Sequence, residues 1–131
     1  NTFAIYLMGE VFKWIKSEFG SLAEVERFND EKAKLIYDVL DGSSFYTPHV
    51  TDKDHRSVMN VTFKTATEEL DAEFVKAAAA KNIKTLKGHR SIGGMRASMY
   101  NAMPMEGARA LASFMQEFER EHAGSVQVAT A

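Results

Sequence analysis

The apolar residues of this chain switch period four times. From Ala4 to Leu40 they recur at the 3.6-residue spacing of helices. In Arg56 to Thr65 they alternate, beyond Thr67 the helical spacing returns, and a second alternating stretch before Pro104 separates it from a last helical one. A chain patterned this way must lay helices against a small sheet, because each amphipathic element has a single apolar face to bury.

In the first segment Ala4, Leu7, Met8, Val11, Phe12, Ile15 and Phe19 share a stripe, while Glu10, Lys13 and Lys16 fall elsewhere. This predicts a helix from about Ala4 to Phe19, ended by Gly20 and facing the core. The alternative is that Tyr6 and Trp14 help to form a subunit or domain interface. Ser21 and Glu24 have capping-box spacing and open a second helix. Gly42, in "DGSS", is expected to close it in a left-handed conformation. With so short a connection, the two helices form a hairpin.

"FYTPHV" then reads as an edge strand, since Pro48 has no N–H to give a ladder. In Arg56 to Thr65, Met59, Val61 and Phe63 alternate with polar neighbours, which predicts a strand with one apolar face. Thr67 caps a third helix with Glu68, Glu69 and Asp71 in its first turn, where acids suit the helix dipole, and Asn82 marks its end. Ile83 to Lys87 and "MRASMY" are expected strands. Pro104 opens a last helix, with Gly124 as its stop. The order is ααββαββα, an α+β sandwich of four helices on a small mixed or antiparallel sheet. It forms one domain over residues 1–122, with a tail over 123–131.

Sixteen basic residues against eighteen acidic leave a net charge of −2, which argues against general nucleic-acid binding. With no cysteine there is neither a disulfide framework nor a thiolate nucleophile, as fits a reducing cytosol. No apolar run reaches the ~18 residues of a membrane span. His49 and His55 are too isolated to hold a metal. The chain starts inside a helical pattern without an initiator Met, as expected of a piece of a longer protein whose missing part lies upstream.

Against this mild acidity, "KGHRSIGGMRASMYNAMP" (87–104) gathers Lys87, His89, Arg90 and Arg96 around three glycines, with no acid from Lys87 to Met105. The lysine-serine ending of a phosphate loop is absent, and so is dinucleotide-type glycine spacing. Glycines let backbone approach a ligand closely. Arg90 and Arg96 can each grip a carboxylate or phosphate with two parallel hydrogen bonds, and His89 adds a donor. Arg96 shares its strand face with Ser98 and Tyr100, so it is an anion receptor if that face lines a cleft. A surface or paired arginine, and a solvated turn at His89 and Arg90, are the plainer readings. No spacing supports a nucleophile–base pair.

The run "KGHRSIGGMRASMYNAMPMEGARALASFMQEFE" closely resembles the C-terminal signature of the phosphoserine aminotransferase family. So do "TFAIYLMGEVFKWIK", "EKAKLIYDVLDGSSFY" and "RSVMNVTF", and the resemblance runs from about residue 2 to residue 122. It implies the small C-terminal domain of a cytoplasmic, homodimeric, fold-type I transaminase that depends on pyridoxal 5'-phosphate. Such an enzyme passes an amino group from glutamate to 3-phosphohydroxypyruvate in serine biosynthesis, and in many bacteria also serves pyridoxine synthesis.

On this resemblance Arg96 matches the arginine holding the substrate α-carboxylate. His89 and Arg90 match the pair at the distal phosphate or carboxylate, acting at the partner subunit's active site. The Schiff-base lysine and most cofactor contacts belong to the large domain, so the fragment alone is expected to be inactive. The family's "NTPPT" run, whose Asn-Thr pair reaches the cofactor phosphate, is here shortened to "NTF". Thr2, continuous with Phe3, matches the last threonine of that run, and Asn1 either matches nothing or is parted from it by residues absent from the chain; Asn1 and Thr2 are the candidate cofactor contacts. The rival class is a stand-alone module that binds small anions without catalysis. A third possibility is an interaction or structural domain whose basic cluster pairs with acids on a partner.

Overall fold

A computed structural model describes residues 1–126 of the chain. Its elements are α1 (Thr2–Phe19), α2 (Leu22–Gly42), β1 (Thr47–Pro48), β2 (Asn60–Lys64), α3 (Glu68–Ala80), β3 (Met95–Ser98) and α4 (Met105–Val126), with a 3₁₀ turn at Lys53–His55. The strands form an antiparallel sheet in the order β1-β2-β3. Four helices on a small antiparallel sheet are the expected α+β arrangement.

The core lies between the apolar face of the sheet and helices α2, α3 and α4. Val61 and Phe63 of β2 and Met95 and Ala97 of β3 point inward, as their alternation requires. They meet Ile36 and Leu40 of α2, Phe74 of α3, and Phe114, Met115 and Phe118 of α4. Phe74 stands edge-on to Phe63, Phe114 and Phe118 at centroid distances of 5.7, 4.9 and 5.1 Å, so one ring ties both helices to the sheet. The Tyr46 hydroxyl donates to the Met115 carbonyl at 2.8 Å, which satisfies its polar tip inside this cluster.

Several boundaries differ from the sequence expectation. Gly42 stays helical, and Ser43 ends α2 instead. Its hydroxyl accepts from the N–H groups of Phe45 and Tyr46 and donates to Glu119 of α4 at 2.7 Å. Ile83 to Lys87 is not a strand. Asn82 and Thr85 take φ of 63° and 62°, which coils the segment, and a single bridge, Lys87 to Met95, remains. The β2 ladder starts only at Asn60, because the Ser57 hydroxyl accepts from the N–H groups of Met59 and Asn60 in a preceding turn. Helix α4 runs through Gly124, since one exposed glycine costs about 1 kcal/mol and does not stop a helix already propagating. Residues 123–126 of the expected tail are therefore helical, and residues 127–131 lie outside the described residues.

The largest departure is α1. Its expected core-facing stripe is uncovered: only Ile15 is buried, while Phe3, Ile5, Tyr6, Met8 and Phe12 are each more than half exposed. The helix touches α2 through its C-terminal end, where Phe19 packs on Phe28 at 5.3 Å and Trp14 on Phe19 at 5.7 Å.

Candidate functional site

The polar face of the sheet is built by register. Arg96 stands opposite Thr62, and Ser98 opposite Asn60, whose Oδ1 accepts from the Ser98 hydroxyl at 3.1 Å. The Arg96 backbone N–H donates to the Leu86 carbonyl at 2.7 Å, which pins the strand to the coiled segment before it. The Arg96 side chain is exposed, and among the described residues its guanidinium makes no ion pair or hydrogen bond. It lines a cleft of about 370 Å³ together with Lys84, Thr85, Ser98, Met103 and Gly107. An unpaired guanidinium on a fixed strand beside a cleft has the geometry to grip a carboxylate or phosphate with two parallel hydrogen bonds.

The glycine turn is closed by its own backbone. Gly88 N–H donates to the Gly94 carbonyl at 2.8 Å, and the His89 carbonyl accepts from Ile92 and Gly93. Gly94 has φ of 63°, and a Cβ there would stand 2.5 Å from the Phe63 carbonyl oxygen and 2.9 Å from the His49 ring. A Cβ on Gly88 would meet the Gly93 carbonyl oxygen at 2.2 Å. These two glycines are what allow the turn to lie flat against the end of β2.

The His89 ring Nδ1 accepts from the Ser91 N–H at 3.3 Å and lies 2.8 Å from the Ser91 hydroxyl. With Nδ1 turned to Ser91, Nε2 is left without a partner among the described residues. Arg90 is exposed and, among the described residues, unpaired. His89 and Arg90 line a broad depression of about 620 Å³, whose opposite wall carries Glu68 and Asp71 of α3. Asp71 is committed to the start of α3, accepting from the Thr65 N–H at 2.7 Å and the Thr65 hydroxyl at 2.8 Å.

The basic run of the sequence is thus divided. His89 and Arg90 share one depression, and Arg96 lines a different cleft. Asn1 and Thr2 sit at the start of α1, where the Asn1 Oδ1 accepts from the Ala4 N–H at 3.3 Å. That is an ordinary helix cap.

Two features escaped the sequence reading. Lys32 is fully buried in α2, under the segment that follows Arg96. The left-handed Thr85 lies beside the Arg96 cleft. Lys32 was legible as a charge on the buried stripe between Val25, Asn29 and Ile36. Thr85 carried no such signal.

The chain belongs to the aminotransferase class-V family, whose model matches residues 1–111. Within that family it is similar to phosphoserine aminotransferases. The one from Lactococcus lactis subsp. cremoris (strain MG1363) is 51% identical over 121 residues, which is 92% of this chain and 33% of the relative. Among solved structures, the phosphoserine aminotransferase from Bacillus circulans subsp. alkalophilus matches with a TM-score of 0.84 and 52% identity, covering 92% of this chain and 33% of that one. A PLP-bound phosphoserine aminotransferase from Trichomonas vaginalis matches with a TM-score of 0.78 and 40% identity, covering 88% and 33%. The chain spans about a third of the length of the relatives it matches.

Proposed function

We propose that the chain is the small-domain portion of a phosphoserine transaminase that uses pyridoxal 5'-phosphate. The observation that carries this reading is Arg96, an unpaired guanidinium held by strand register beside a cleft, in a chain half identical to phosphoserine aminotransferases. When bound, the cofactor supplies the electron sink for moving an amino group. In this reading the lysine that carries it and most of its contacts lie in the two-thirds of the protein beyond this chain. Asn1 and Thr2, at the open N-terminal turn of α1, would add contacts to its phosphate.

Arg96 grips the α-carboxylate shared by the amino donor, glutamate, and the acceptor, 3-phosphohydroxypyruvate. Arg90 and the Nε2–H of His89 hold the distal phosphate or carboxylate. On the family resemblance we assign them to the active site of the partner subunit in a cytoplasmic homodimer; their depression is separate from the Arg96 cleft. The exposed apolar face of α1 is covered by the large domain.

The test uses the full-length protein, assayed with glutamate and 3-phosphohydroxypyruvate. Arg96→Ala is expected to cost about 2–3 kcal/mol in kcat/KM for both substrates, the scale of a lost charged bidentate contact. Arg90→Ala is expected to weaken the phosphorylated substrate more than an unphosphorylated 2-oxo acid. Unchanged kinetics for Arg96→Ala remove that residue from the site, and equal losses on both acceptors reduce Arg90 to a turn residue. No transamination by the wild-type full-length protein overturns the reading as a whole.

A further inference from the structure

Lys32 is a lysine with no exposed surface, and among the described residues no carboxylate pairs with it. Its ammonium instead donates to three backbone carbonyls: Met99 at 3.3 Å, Tyr100 at 2.8 Å and Met103 at 3.1 Å. An ammonium has three N–H donors and no acceptor, so three carbonyls use it completely. The ring of Phe28, one turn earlier on α2, lies 4.7 Å from the nitrogen and offers its negative face. Beside it the Asn29 side-chain amide donates to the Asn101 Oδ1 at 2.8 Å. Burial alone pushes the Lys32 ammonium below its ordinary pKa, as expected where no anion is at hand.

The three carbonyls belong to one short segment, the connection from β3 to α4. That segment begins directly after Ser98, and Arg96 lies three residues before Met99. Met99 and Met103 both line the cleft that Arg96 enters, and the Met103 sulfur occupies the space a Cβ on Gly107 would need. The Met99 N–H donates to the Met59 carbonyl at 2.7 Å, which ties the start of the segment to the residue before β2, and the Met103 N–H closes back on the Tyr100 carbonyl at 2.8 Å. Lys32 adds a tether from α2 that joins three of its carbonyls at one point.

We propose that Lys32 is a positioning residue for the anion site: its ammonium gathers the carbonyls of residues 99, 100 and 103, and so fixes the wall of the cleft against which Arg96 is aimed. The proposal rests on the reading of Arg96 as a substrate-carboxylate receptor. Methionine in its place takes the Lys32 donor from the Met99 and Met103 carbonyls and leaves the Tyr100 carbonyl only the Met103 N–H, and the wall then moves relative to the guanidinium. Because Lys32 would act through Arg96, the loss should fall on binding of the carboxylate that all substrates share.

The experiment is a double-mutant cycle in the full-length protein with Lys32→Met and Lys32→Gln, each alone and combined with Arg96→Ala. On the wild-type background each Lys32 variant is expected to raise KM for donor and acceptor about tenfold, with kcat within about twofold. On the Arg96→Ala background the same substitution is expected to add less than about twofold. An equal loss on both backgrounds, a loss confined to kcat, or insolubility of both Lys32 variants makes Lys32 a core residue only and overturns the proposal. Amide hydrogen exchange in Lys32→Gln separates this from the underlying reading. If Arg96→Ala alone leaves kcat/KM untouched, the receptor reading fails, and the exchange decides the positioning claim by itself. Faster exchange at Arg96 and Met99 upholds the tether, and unchanged exchange rejects it.

Discussion

Thr85 holds φ at 62°, a conformation that a β-branched residue resists. Its hydroxyl donates to the neighbouring Lys84 carbonyl at 2.7 Å, a local bond on an exposed residue that offsets little of the strain. The next residue, Leu86, presents the carbonyl that accepts from the Arg96 N–H, so the bend delivers an acceptor to β3. The left-handed form costs an L-residue about 1–2 kcal/mol, and glycine in its place costs about 0.5–1 kcal/mol in unfolded-state freedom. Thr85→Gly is therefore expected to stabilise the chain by about 0.5–1 kcal/mol, and Thr85→Ala, which keeps a Cβ, to bring no gain. A urea titration checks this, as a rise in midpoint at constant slope for glycine alone.

Helices α3 and α4 are joined near the end of the described chain by His122. Its ring stacks on Phe118 at 4.0 Å, its Nδ1 meets the Phe118 carbonyl at 2.8 Å, and its Nε2 meets the Glu73 carboxylate at 3.2 Å. Both nitrogens face acceptors, so the arrangement calls for the doubly protonated imidazolium. Burial opposes that charge most, but the Phe118 carbonyl and Glu73 together outweigh it and raise the His122 pKa above its ordinary value. A group whose folded pKa is raised stabilises fully below its unfolded pKa, near 6.5, and loses that contribution as pH rises through the folded value. The urea midpoint is expected to fall across that window in the wild type, and Glu73→Gln to shrink the fall. An identical slope in the variant separates His122 from Glu73.

At this scale the sequence was a good guide wherever a cap or an apolar stripe acts alone. Ser21 and Thr67 accept from the N–H groups of Glu24 and Leu70, as their positions required. It was a poor guide where a contact distant in the chain decides. Ser43 ends α2 partly because Glu119 of α4 is there to meet it, and the segment after Asn82 coils through two left-handed residues that apolar spacing cannot reveal.

For the whole molecule, the residue types of the proposed anion site stand in the sequence, but charge spacing alone does not divide them; only the family resemblance set Arg96 apart from His89 and Arg90. Charge density along 87–104 put Lys87, His89, Arg90 and Arg96 in one group. Antiparallel pairing through Lys87 and Met95 turns the loop back on itself, so the two ends of the run open on different clefts. The same limit applies to α1, whose periodicity says that a face must be buried but not by what. Within this chain the answer is very little, since Phe3, Tyr6, Met8, Val11 and Phe12 remain exposed along one helix. An apolar band of that kind on an isolated domain drives self-association. The 131-residue chain expressed alone is expected to associate and to bind hydrophobic dye. Phe12→Glu with Met8→Lys is expected to return it to a monomer in light scattering. In the full-length protein the same pair of substitutions is expected to lower the melting temperature by several degrees, because two charges, even paired with each other one turn apart, are then desolvated in place of apolar contact. If the pair leaves the full-length melting temperature unchanged while curing association of the fragment, α1 is a surface helix in the complete protein, and the large domain packs elsewhere.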